Sequence, residues 1–170
     1  MESKIKKIHH LLIQLVGLHR RLLEVVRMEK EHLIDALPKS IETITQQKQH
    51  LIEEIHQVES LRMKLCAEFA VESKRNIKEL TLTNLVIAIQ GDDPKLAQQL
   101  TSTKNTLVIL SQRIAEQNRE NLALIERSMN HIEAMKRNLI EAQQPQMGTY
   151  SQQGQKVSAP VLRSSFSQEG

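Results

Sequence analysis

The sequence predicts an all-α protein: an elongated antiparallel helical bundle or coiled coil, followed by a disordered C-terminal tail. Three observations carry that expectation. Proline-free stretches run from Lys39 to Asp93 and from Lys95 to Gln144. Along both, aliphatic residues return every three or four positions, the spacing that sets them on one side of a helix. Aromatic residues make up only 2% of a chain that is 39% hydrophobic, so its interior must be Leu, Ile and Val packed between helices. Residues 1–144 are expected to form one helical bundle domain, and residues 145–170 a flexible tail.

The first helix is expected over about residues 3–36. Ile5, Ile8, Leu12, Leu15, Leu22, Val26 and Leu33 recur at helical spacing, with Lys, Arg, His and Glu between them. Pro38 lacks an amide donor and crowds the preceding turn, so it predicts a kink or short break there. Ser40 is then available as a cap for a second helix over about residues 40–73. That helix carries the strip Ile41, Ile44, Lys48, Leu51, Ile55, Val58, Arg62, Leu65 and Phe69, which alternates steps of three and four. Such a seam buries one narrow face and needs a partner helix. Lys48 and Arg62 are expected to bury their stems and send their charges to solvent.

A short third helix is expected over about residues 76–90, where Ile77, Leu80, Leu82, Leu85, Val86 and Ile89 fall. A lone strand at Thr81-Leu82-Thr83 would have nothing to pair with. Asp93 and Pro94 then have helix-start chemistry: the carboxylate can accept amide hydrogen bonds, and proline at the first helical position forfeits only a donor without a partner. The fourth helix, over about residues 94–143, would span about 75 Å at 1.5 Å per residue. No compact globule of this size buries such a rod, so its ends should be exposed, oligomeric or waiting for a partner. A homo-oligomer stays open on that basis. Asn118 and Asn121 interrupt this helix, and a buried asparagine weakens packing while selecting a register or partner. After Pro145 the composition turns to Gln, Ser and Gly and the periodicity disappears.

Several functions fall away on composition. The net charge of +3 comes from 23 basic residues interspersed with 20 acidic ones, without the concentrated positive face that nucleic acid requires. The apolar run Leu11 to Val16 is far short of the roughly 20 residues of a membrane span, so neither a signal peptide nor stable membrane insertion is expected. Cys66 is the only cysteine, which fits a reducing cytoplasm and excludes an internal disulfide. Two Glu-x-x-His runs, Glu29 to His32 and Glu53 to His56, have the spacing used in carboxylate-bridged di-iron bundles. Ligands of such a site must project inward, whereas this periodicity places both pairs on outward faces. No catalytic residue, cofactor or metal ligand is therefore expected, and the chain reads as a non-enzymatic helix-binding protein.

The stretch Gln47 to Ile55, followed by Val58-Glu59-Ser60-Leu61-Arg62, resembles the second helix of the FlgN family of flagellar export chaperones. The resemblance continues through Asn118 to Leu122. It is most specific at Tyr150-Ser151-Gln152-Gln153-Gly154-Gln155, since the family places a Tyr-Gly-x-x-Gly-Gln-like segment just after its long final helix. Ser151 stands where glycine is typical, and Gln153 where an acidic or asparagine-like residue is common. The resemblance implies a cytoplasmic chaperone that binds the terminal amphipathic helices of hook-associated, hook-filament junction proteins and delivers them to the type III export gate. It further implies that Tyr150 and Gly154 dock on the gate's cytoplasmic domain, and that the late fourth helix engages cargo. Leu122, Ile125, Met129, Ile132 and Leu139 are the expected cargo-binding residues. The competing reading is a coiled-coil stalk or adaptor of the export apparatus, whose helices would pair fully.

Overall fold

A computed structural model describes residues 2–35, 38–73 and 81–143. Within them are four helices and no strand: α1 (Glu2–Ile34), α2 (Pro38–Glu72), α3 (Leu82–Ile89) and α4 (Pro94–Gln143). By compactness the chain divides into two units, Met1–Ser128 and Met129–Gly170. The first holds α1, α2, α3 and α4 as far as Ser128. Of the second, residues 129–143 are described, and they are helical throughout.

In the first unit α1 and α2 form an antiparallel hairpin. Lys4 pairs with Glu72 at 2.6 Å and Glu68 at 3.2 Å, Arg21 with Glu54 at 3.4 Å, and Glu29 with Lys48 at 2.8 Å. One residue number rises as the other falls, which is the signature of helices running in opposite directions. α4 instead runs parallel to α1. The His9 ring faces the Thr103 hydroxyl at 3.3 Å, and Lys30 Nζ donates to Glu120 at 2.8 Å.

The strips predicted on α1 and α2 face this junction. Ile5, Ile8, Leu12 and Leu15 of α1 join Cys66 and Phe69 of α2 in one core cluster, completed by Leu85 and Ile89 of α3 and by Leu96 and Leu100 of α4. A second cluster unites Leu22, Leu23 and Val26 with Leu51, Leu110 and Ile114. Every member of the α2 strip from Ile41 to Phe69 is buried or half-buried. Leucine and isoleucine interlock here because three- and four-residue spacing keeps each strip aimed at its neighbour for the length of the helix.

The helix starts show local chemistry at work. Asp93 Oδ1 accepts from the Leu96 amide at 2.9 Å with Pro94 as the first helical residue, as expected. α3 begins at Leu82 rather than near residue 76, because the Thr81 hydroxyl accepts from the Asn84 amide at 3.2 Å and caps the helix there. The expected members Ile77 and Leu80 lie outside the described residues. Ser40 is not a cap: α2 opens two residues earlier, at Pro38, whose missing donor costs nothing in a first turn. No described helix is long and apolar enough to cross a membrane.

Candidate helix-binding surface and the polar node beside it

Glu29, expected to face outward, and Asn121, read as an interruption of the α4 strip, meet in the interior. Glu29 is 9% exposed and Asn121 only 3%. One carboxylate oxygen of Glu29 accepts from Lys48 Nζ and from Asn121 Nδ2, each at 2.8 Å. Asn121 Nδ2 also donates to the Val26 carbonyl at 2.9 Å, and Asn121 Oδ1 accepts from Gln117 at 3.3 Å. One node therefore ties α1, α2 and α4 together. A buried carboxylate without partners is expensive, so the pairing defines which residues can stand opposite one another.

This corrects the expectation that Glu29 faces outward and that Lys48 sends its charge to solvent. The α1 strip has gaps at positions 19 and 29, filled by His19 and Glu29. Position 29 and position 48 stand at nearly equal distances from the break at Pro38, so an acid on one strip meets a base on the other. Reading the two strips against each other as a hairpin, rather than singly, reveals this. The other interruption, Arg62, is held by Glu59 at 2.5 Å and 2.8 Å. That hydrogen-bonded pairing keeps the Glu59 carboxyl below the usual carboxylate range, and raises Arg62 further above its ordinary value. Burial pushes the neighbouring Cys66 thiol up, away from the thiolate a nucleophile needs.

The Glu-x-x-His runs do not converge. Glu29 turns to Lys48 and Asn121, while Glu53 and His56 are exposed, with Glu53 accepting from Gln49 at 3.0 Å. Among the described residues no three His, Cys, Asp or Glu side chains stand close enough to hold a metal ion.

Asn121 is the last buried residue on α4 among those described. Ile125 follows it by one turn, just as Leu33 follows Glu29, and α1 ends at Ile34. In the first unit Leu122 is 54% exposed and Ile125 39%. In the second unit Met129, Ile132 and Leu139 are all more than half exposed. Their spacing keeps them along one side of α4, with Lys136 filling the remaining step. Tyr150 and Gly154, like the expected tail, lie outside the described residues.

The first unit is thus a helical bundle whose last helix leaves Leu122 and Ile125 exposed, and in the second unit Met129, Ile132 and Leu139 are exposed likewise. The FlgN protein family model matches residues 1–158, nearly the whole chain, whereas no curated protein and no solved structure matches. The chain belongs to the FlgN family, a family of flagellar export chaperones.

Proposed function

We propose that this FlgN-family protein is a cytoplasmic, non-enzymatic chaperone for hook-filament junction proteins. It covers their terminal amphipathic helices, prevents premature association and delivers them to the flagellar type III export gate. The observation that supports this reading most is the strip Leu122, Ile125, Met129, Ile132 and Leu139, which stays exposed although it carries the spacing of a helix-pairing seam. A cargo helix with a complementary apolar face can lie along it as an added bundle member. Arg127, Glu133 and Arg137, also exposed, would stay hydrated at the edge of such a contact and keep it reversible.

The test is calorimetric titration with a junction protein and with the same protein lacking its terminal helix. Binding that vanishes on truncation is the expected result. Ile125→Asp/Met129→Asp should weaken binding by about a hundredfold, since two carboxylates would be forced into a desolvated apolar contact. Unchanged affinity in a folded double variant removes the assignment, and failure to bind either form of cargo favours the coiled-coil stalk. Tyr150 and Gly154 form the proposed gate-docking segment. Tyr150→Ala should retain cargo binding and weaken binding to the gate's cytoplasmic domain; equal gate affinity would remove that role.

A further inference from the structure

The first unit carries a second open apolar surface, on the opposite side of chain order from the α4 strip. Between the start of α1 and the last third of α2 lies a groove of about 820 Å³. Leu11, Leu61 and Leu65 supply its apolar lining. Leu65 packs against the main core cluster, so one wall is preformed, whereas Leu61 is 55% exposed with nothing over it.

Basic residues outnumber acids at the rim. Lys7, His10 and Lys64 line it and are exposed, and among the described residues none of these three has an ion-pair partner. Glu68 is the acid at the rim, and it is already paired with Lys4 at 3.2 Å. Lys4 in turn is held by Glu72 as well, so these acids do not neutralise the rim. In a chain whose charges are elsewhere interspersed, this is a local surplus beside an apolar floor.

We infer that this groove docks an acidic amphipathic helix of a partner protein, separately from cargo on α4. The apolar face of that helix would cover Leu61 and Leu65, and its flanking carboxylates would meet Lys7 and Lys64. The groove is open along the hairpin and its cations sit on long, mobile stems. It has no convergent rigid polar groups to orient a small ligand, whereas an amphipathic helix needs only a greasy trough and complementary edges.

The probe is a labelled amphipathic peptide of about four helical turns, with leucines on one face and glutamates beside them; its control has lysines in place of the glutamates. Binding to the full chain is read by fluorescence anisotropy. The glutamate peptide should bind, weaken by about tenfold or more in Lys7→Glu/Lys64→Glu and in Leu61→Asp, and weaken as salt is raised. It should bind Ile125→Asp/Met129→Asp as tightly as the unaltered protein. All these positions are exposed, and far-UV circular dichroism with thermal melting confirms that each variant is folded. Equal binding to the charge-reversed variant, equal binding of the lysine peptide, or loss only in the α4 variant overturns the proposal. So does binding to anionic phosphatidylglycerol vesicles with none to the glutamate peptide, which would make the rim a lipid contact.

Discussion

The strip on α2 from Ile41 to Phe69 and the strip on α4 from Leu122 to Leu139 are written in the same code. Both step by three and four, both are mainly aliphatic, and both tolerate a basic residue, Lys48 and Arg62 in one and Lys136 in the other. Yet every residue of the first is at least half-buried, while the five apolar residues of the second stand exposed. The interruptions also differ. Lys48 and Arg62 have carboxylates waiting, Glu29 from the facing helix and Glu59 from one turn earlier. The lesson is that amphipathicity states a demand for a partner without saying whether this chain meets it.

The sharpest way to break the comparison is to truncate one leucine or isoleucine on each strip. Leu51→Ala removes a side chain enclosed by Leu22, Val26 and Leu110 and should destabilise the protein by about 3 kcal/mol. That corresponds to a fall in melting temperature of roughly 6–12 °C for a chain of this size. Ile132→Ala, on the exposed strip, should change stability by no more than about 0.5 kcal/mol. Comparable losses in thermal melting would mean that the α4 strip is covered in solution.

A smaller effect sharpens the role of the polar node. Lys48→Met leaves Glu29 with Asn121 alone and should cost about 2 kcal/mol, less than a fully buried pair because the lysine retains some solvent contact. Adding Glu29→Met removes the orphaned charge and should recover part of that loss. A double-mutant cycle by denaturant titration measures the coupling. Simple additivity of the two changes would show that the contact contributes no coupling.

The smallest effect lies at the opposite end of α1, where His9 meets Thr103 of α4. Burial, and then the nearby His10, lower the His9 pKa. In the folded protein His9 therefore resists protonation more than it does in the unfolded chain. The unfolded state binds the additional proton as pH falls through the ordinary histidine range, so this group makes stability decline toward acid. His9→Gln should flatten a small part of the fall in melting temperature between neutral pH and the onset of carboxylate protonation. The α4 strip, which has no such contact, should leave that slope unchanged when Ile132 is truncated. An identical slope for His9→Gln and the unaltered protein would assign the pH dependence to other groups.

Much of this was legible without coordinates. The all-α class, the break at Pro38, the start of α4 at Asp93-Pro94 and the inward faces of α1 and α2 follow from proline chemistry, capping and helical period, all of which act over a few residues. The apolar residues Leu122, Ile125, Met129, Ile132 and Leu139 were readable as a strip, and the family resemblance agrees with the match over residues 1–158. The expected start of α3 near residue 76 follows the apolar spacing from Ile77, whereas the Thr81 hydroxyl caps the helix at Leu82. Asn121 was legible as an interruption that selects a partner, but its pairing with Glu29 and Lys48 was not, for a different reason. Each residue was judged by its position on its own helix, whereas its environment comes from two others.

Local sequence determined where helices start, how long they run and which side of each is apolar, since backbone hydrogen bonding and side-chain period are properties of neighbouring residues. Only the tertiary structure decided which apolar side is satisfied. α1 supplies a facing strip for α2 along the hairpin and lies beside α4 at Asn121, but α1 ends at Ile34. Burial is a property of what stands opposite, so the same three-and-four pattern becomes core at Leu51 and open surface at Leu122. Likewise a lone carboxylate reads as a solvated charge until Lys48 and Asn121 are brought to within 2.8 Å of it.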